Sequence, residues 1–301
     1  MICALRHVSA LLGTLTLIGT SVSAGPLDPA RIDALTGVKG MFNTNENVFK
    51  VTLPRTDVKI AVDGWTMPPF MGLASWAAFT EQKTDDVMVM GDTVLFQDEV
   101  NPVMSVALDN GLAVTALHNH FFYDDPKVFF MHISGMGEPE KLAAAVRKMW
   151  DKVKEIRAAT PQPGKTFGVA ALPATNAIAG KAIEAALGVK GQANNGMFKV
   201  VIGRTTKMPC GCEMTKEMGV NTWAAFAGTD DNALVDGDFA VLETELQPVL
   251  KSLRHDGINI VAIHSHMTQE NPRILFLHYW GRGKTADLAA ALKAALATQN
   301  K

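Results

Sequence analysis

Phe49, Val51 and Leu53 alternate with Val48, Lys50 and Thr52, and the same two-residue beat returns at 197–202. In an extended chain every second side chain points to the same face, so both stretches read as strands. Trp76–Phe79, Trp223–Phe226, Ala113–Phe122, Ile258–Met267, Val128–Ser134 and Ile274–Trp280 read the same way, rich in β-branched and aromatic residues. Val87–Met90 and Val94–Phe96 flank Gly91-Asp92, which predicts a hairpin turning at that dipeptide. Short helices are predicted near Pro29–Thr36 and Ala177–Leu187, and amphipathic ones at Glu138–Ile156 and Ala286–Thr298. Proline at the first position and glycine after the last predict two more, Pro102–Asp109 before Gly111 and Pro248–His255 before Gly257. Helices and strands mix without strict β-α-β order, so the expected class is α+β.

The pattern occurs twice. Ile32–Gly40 matches Ile183–Gly191, Phe49-Lys50-Val51…Arg55 matches Phe198-Lys199-Val200…Arg204, and Trp76–Phe79 matches Trp223–Phe226. Gly91-Asp92 matches Gly237-Asp238, and Glu99 and Pro102 match Glu245 and Pro248. The offset drifts only from 151 to 146, so an internal duplication is the simplest account. The expected organisation is a leader over 1–24, a first repeat domain over 25–157, a linker over 158–172 and a second repeat domain over 173–301. The linker carries Pro161, Pro163 and Gly164.

Arg6 and His7 precede an apolar run from Val8 to Ile18, and Ser21-Val22-Ser23-Ala24 follows. That is the layout of a signal peptide, too short for a membrane anchor, and it predicts a periplasmic or secreted chain. Cys3 lies before the run and would leave with the leader. Cys210 and Cys212 flank Gly211; a strained disulfide, a soft-metal clip and free thiols are all open readings. Net charge is −2 with both signs scattered, which gives no footprint for nucleic acid. The expected partner is a small polar or anionic molecule, and no membrane span is expected after leader removal.

Six of the seven histidines after the leader fall into two identically spaced triads: His118, His120 and His132, and His264, His266 and His278. Residues i and i+2 of a strand share a face, so each His-x-His projects together. A hairpin centred on Asp125 sets His118 opposite His132, and one centred on Asn271 sets His264 opposite His278. Three converging imidazoles suit a divalent metal, zinc first, with an open fourth position; copper, nickel and iron also accept imidazole. Glu99 and Glu245 lie 19 residues before the first histidine of each triad. They are candidate fourth ligands or catalytic acid/bases, or acids that complement a helix dipole. Lys50, Lys199, Arg55 and Arg204 are candidates for an anionic substrate, or for a solvated strand face.

The stretches Leu117-His118-Asn119-His120…Phe129-Phe130-Met131-His132 and Ile263-His264-Ser265-His266…Ile274-Leu275-Phe276-Leu277-His278-Tyr279-Trp280-Gly281 resemble the LppY/LpqO family. Membership would imply an exported bacterial protein, without assigning an activity. The same stretches are similar to acetolactate decarboxylase and the related plant-and-prokaryote conserved domain. That likeness implies an α+β build with related halves, and zinc on His264, His266, His278 and Glu245 or their first-repeat equivalents. The decarboxylase's Gly-Gly-His is replaced here by Phe-Met-His132 and Phe-Leu-His278.

Three functions follow as expectations. The first is a metal-dependent lyase or hydrolase, with Glu99 or Glu245 moving a proton. The second is a periplasmic zinc- or copper-buffering protein without catalysis. The third is an envelope module whose histidines merely pack. No Ser-His-Asp order or glycine-rich phosphate loop competes.

Overall fold

The computed structural model describes residues 27–82 and 86–299. The expected leader, 1–24, lies outside them. The first repeat runs α1 (Pro29–Thr36), β1 (Gly40–Asn43), β2 (Val48–Pro54), β3 (Ala61–Val62), β4 (Trp65–Thr66), β5 (Ala74–Glu81), β6 (Val87–Phe96), α2 (Gln97–Asp109), β7 (Ala113–His118), β8 (Asp124–Asp125), β9 (Val128–Gly137) and α3 (Pro139–Ala159). The second runs α4 (Gly180–Leu187), β10 (Gly191–Asn194), β11 (Met197–Gly203), β12 (Thr206–Lys207), β13 (Glu213–Met214), β14 (Asn221–Thr229), β15 (Asn232–Leu242), α5 (Leu246–His255), β16 (Asn259–His264), β17 (Ile274–Gly283) and α6 (Thr285–Ala297). The class is α+β, with a large antiparallel sheet.

Both repeats share one twelve-stranded sheet, ordered β1-β2-β5-β6-β9-β7-β16-β17-β15-β14-β11-β10. Reading the order from either end gives the same series of equivalent strands. The repeats meet at β7 and β16, where Leu117 lies opposite Ile263. The helices cover one face. Leu142, Val146 and Met149 of α3 and Val249, Leu250 and Leu253 of α5 share a buried core with Phe79, Val89, Leu117, Phe226 and Ile263. Burying each such phenylalanine or leucine contributes about 1.5–3 kcal/mol. No helix of the described residues is long and apolar enough to cross a membrane.

The central strands are bulged. Register shifts between Val114 and Ala116 in β7, and between Ile260 and Ala262 in β16. The extra residue lets Val114 and Leu117, three apart, both face the helices, and turns His118 to the other face. It also leaves backbone groups without a strand partner, and side-chain amides supply one. Asn101 donates to the Ile260 carbonyl at 3.1 Å and accepts from its N–H at 2.7 Å. Gln247, the equivalent residue on α5, does the same for Val114, at 2.9 Å each way. Asn101→Ala is expected to orphan both groups and lower stability by about 1–3 kcal/mol, measured by urea unfolding.

Three sequence expectations change. Gly91-Asp92 is no turn: β6 runs unbroken from Val87 to Phe96. Strand residues flanking a Gly-Asp pair resemble a hairpin locally, and only pairing with both β5 and β9 holds the segment straight. Helix α2 starts five residues before Pro102, because Glu99 Oε2 accepts the Phe96 N–H at 2.8 Å and caps it there. The ladder sets His118 against Phe130 and His132 against Ala116, and likewise His264 against Phe276 and His278 against Ala262. That is a two-residue slip from the expected pairing. An even slip keeps every side chain on its face, so the triads still converge.

Candidate metal centre

Cross-strand partners in an antiparallel sheet share a face. Trp223 pairs with Asp238, Asp238 with His278 and His278 with Ala262, a row across the face away from the helices. Trp76, Asp92, His132 and Ala116 form the same row in the first repeat. His118 and His264 stand one same-face step along their strands. All these residues therefore lie on one face of one sheet.

His120 and His266 lie just beyond the ends of β7 and β16, yet their rings return to the group. His264 sits 5.1 Å from His266 and 4.9 Å from His278, between ring centroids. His118 sits 5.2 Å from His120 and 5.1 Å from His132. Phe276 stacks on His266 and Phe130 on His120, closing the apolar side. Small flaps cover that flank. Strands β3, β4 and β8 pair together in the first repeat, where Val58, Ile60 and Met67 pack on Phe130. In the second, β12 pairs β13, and Met214 packs on Phe276.

The acid brought to the histidines is an aspartate. Asp238 Oδ2 lies 3.5 Å from His266 Nε2, and Asp92 Oδ2 lies 4.0 Å from His132 Nε2. Donors on one tetrahedral zinc stand roughly 3.4 Å apart, given bonds of about 2.0–2.1 Å. Asp238, His264 and His266 each offer a donor atom within 4.8 Å of the other two, a group able to hold a metal ion. Asp238 Oδ1 and His264 Nδ1 are buried without a hydrogen-bond partner, as is Asp92 Oδ1. Buried polar atoms are costly to orphan; a cation beside them would remove the cost. His278 Nδ1 lies 3.3 Å from the Gly237 carbonyl and His266 Nδ1 3.2 Å from that of Gly219. A hydrogen on each Nδ1 serves those carbonyls and leaves Nε2 as the metal donor. Burial and the nearby His278 and His266 hold His264 below the usual imidazole range, which favours its neutral, ligating form. Burial pushes Asp238 up, opposed by His278 and His266.

Gly237 makes this packing possible. A Cβ there would lie 2.1 Å from Tyr279 Oη and 2.3 Å from the Trp223 carbonyl oxygen. Tyr279 is fully buried and donates to that carbonyl at 2.9 Å. Gly237→Ala is expected to cost about 1–3 kcal/mol, read as a lowered melting temperature.

Glu99 and Glu245 are not brought to the histidines. Arg55 grips Glu99 with two nitrogens, at 2.7 and 2.6 Å, and Arg157 Nε lies 2.8 Å away without hydrogen-bond alignment. Arg204 grips Glu245 in the same way, Leu242 N–H donates to it at 2.9 Å, and Gln299 stands where Arg157 stood. Both glutamates are fully buried helix-start acids, so Arg55 and Arg204 serve them. Lys50 and Lys199 instead lie over Trp76 and Trp223, at 4.3 and 4.2 Å. Cys210 and Cys212 are free and exposed in the turn between β12 and β13. Asp92 and Asp238 are not among the ligands that the sequence pattern proposes. Their signal was there: each stands 26 residues before the first histidine of its triad.

A family model described as Domain of Unknown Function (DUF1259) matches residues 30–152 and again 181–298. The chain belongs to this family. The two DUF1259 segments coincide with the two structural repeats and contain both triads and both aspartates. No curated protein and no solved structure matches the chain.

Proposed function

We propose that this DUF1259 protein is an exported metal-binding protein holding one divalent ion, zinc first, in each repeat. The ligands are His264, His266, His278 and Asp238 in the second repeat, and His118, His120, His132 and Asp92 in the first. The meeting of Asp238, His264 and His266 within 4.8 Å carries the reading. Nitrogen donors with one carboxylate suit zinc, and imidazole also accepts copper. The export-like leader and the LppY/LpqO resemblance support a periplasmic or secreted setting, with the repeats over 25–157 and 173–301 as the units that each bind an ion.

The second ion would face a cavity that His266 and Asp238 help to line. A molecule entering there could take an added coordination position, as catalytic zinc allows. That accessibility favours a metal-dependent lyase or hydrolase over a buffer that only stores the ion. Metal analysis of the purified chain tests the proposal. Two zinc ions per chain are expected, falling to one in His118→Ala and in His264→Ala. A chain that takes up neither zinc nor copper would sink it. An enzyme keeps its ion against a competing chelator through turnover, whereas a buffering protein surrenders it.

A further inference from the structure

The cavity beside the second site has a volume of about 570 Å³, within the size range of small-molecule pockets. Trp223, Asp238, His266 and Glu217 form part of its wall, as do three lysines, Lys190, Lys199 and Lys216. Glu184 holds Lys190 at 2.9 Å, and Glu217 holds Lys216 at 3.1 Å. Lys199 has no carboxylate partner among the described residues. Its Nζ lies 4.2 Å above the Trp223 ring, and Trp223 is the cross-strand neighbour of Asp238. The tryptophan face thus steadies a lysine lacking a counter-ion two strands from the metal ligand. With a divalent ion in place, the walls carry a positive excess, and a concave wall concentrates that field.

The first repeat is an internal control. It keeps Lys39, Lys50 and Trp76. Pro69 stands where the second repeat has Lys216, Phe70 where it has Glu217, and Met41 where it has Gln192. Met41 and Phe70 are 81% and 97% exposed, so the rim there is apolar and offers an anion less.

We infer that the second repeat binds a small organic anion, its carboxylate or phosphate group on Lys199 and Lys216 and a neighbouring oxygen toward the metal. The first repeat does not. The inference rests on the metal-centre reading and adds a substrate class to it.

Calorimetric titration of the zinc-loaded full chain with malonate, inorganic phosphate and uncharged malonamide tests this, with zinc content measured on the same samples. One anion per chain is expected, malonate and phosphate separating a carboxylate site from a phosphate site, with no binding of malonamide. Lys199→Met should weaken binding at least about tenfold, the scale of one hydrogen bond to a charged group, with zinc content and melting temperature unchanged. Lys50→Met should bind as wild type does. Equal binding by Lys199→Met, equal binding of malonamide, or two zinc ions with neither anion bound would overturn the inference and leave the metal reading standing. Failure to load either zinc or copper would overturn the metal reading. The anion site would then stand or fall on the same Lys199→Met comparison in the zinc-free chain.

Discussion

Glu99→Ala is expected to lower the stability of the protein by about 3–5 kcal/mol, the cost of breaking a buried ion pair from one side. The carboxylate is fully buried, and the Arg55 and Arg157 side chains beside it are only 5% and 6% exposed. Removing the acid leaves Arg55 with Asp57 and Arg157 with Asp98 as their remaining carboxylates, takes a buried bidentate partner from Arg55, and removes the acceptor that caps α2 at the Phe96 N–H. Urea or thermal unfolding measures the loss. The double variant Glu99→Ala/Arg55→Ala should recover part of it, because a buried guanidinium whose remaining carboxylate is only the half-exposed Asp57 leaves with the acid. A fall in activity or metal content without a fall in stability would instead return Glu99 to a catalytic role.

Asp238→Asn is expected to behave in the opposite way. The substitution keeps shape and removes the charged donor. Affinity for the second ion should drop by about 100-fold, the upper end of what even outer-shell losses cost a metal site. The melting temperature of the metal-free chain should not fall, because burial already disfavours the charged form of Asp238 and the amide keeps an oxygen acceptor. Glu245→Gln should reverse the pattern, keeping the ion and losing stability as its Arg204 pair weakens. Competition with a zinc-responsive dye, run beside thermal melts of all three proteins, separates the two acids. Equal zinc affinity in Asp238→Asn and wild type would remove the aspartate from the site.

Much of the architecture could be read along the chain. Helix α1 begins at Pro29 and ends at Thr36 as expected, and β2 and β11 follow their alternating residues. The duplication needed only matched residues in one order. Gly91-Asp92 reads as a turn because local pattern does not separate a turn from a strand held on both edges. Glu99 and Asp92 show the same limit more sharply. Both keep a constant spacing to the triad in each repeat, so spacing could not choose between them. Glu99 caps α2 and is gripped by Arg55 of β2; Asp92 sits on β6 beside His132 of β9.

The sequence by itself determined the α+β class, the two repeats, the two histidine triads and that the two histidines of each His-x-His would project together. Those follow from periodicities of two and 3.6 residues and from repetition, all of which are local or additive. Only the tertiary structure decided that the repeats share one sheet, that the bulges at Val114 and Ile260 turn the histidines away from the helices, and that Asp92 and Asp238, rather than Glu99 and Glu245, meet them. Those outcomes depend on which distant strands pair and in what register, and a pairing between residues 26 or 40 positions apart leaves no mark on the local pattern of either.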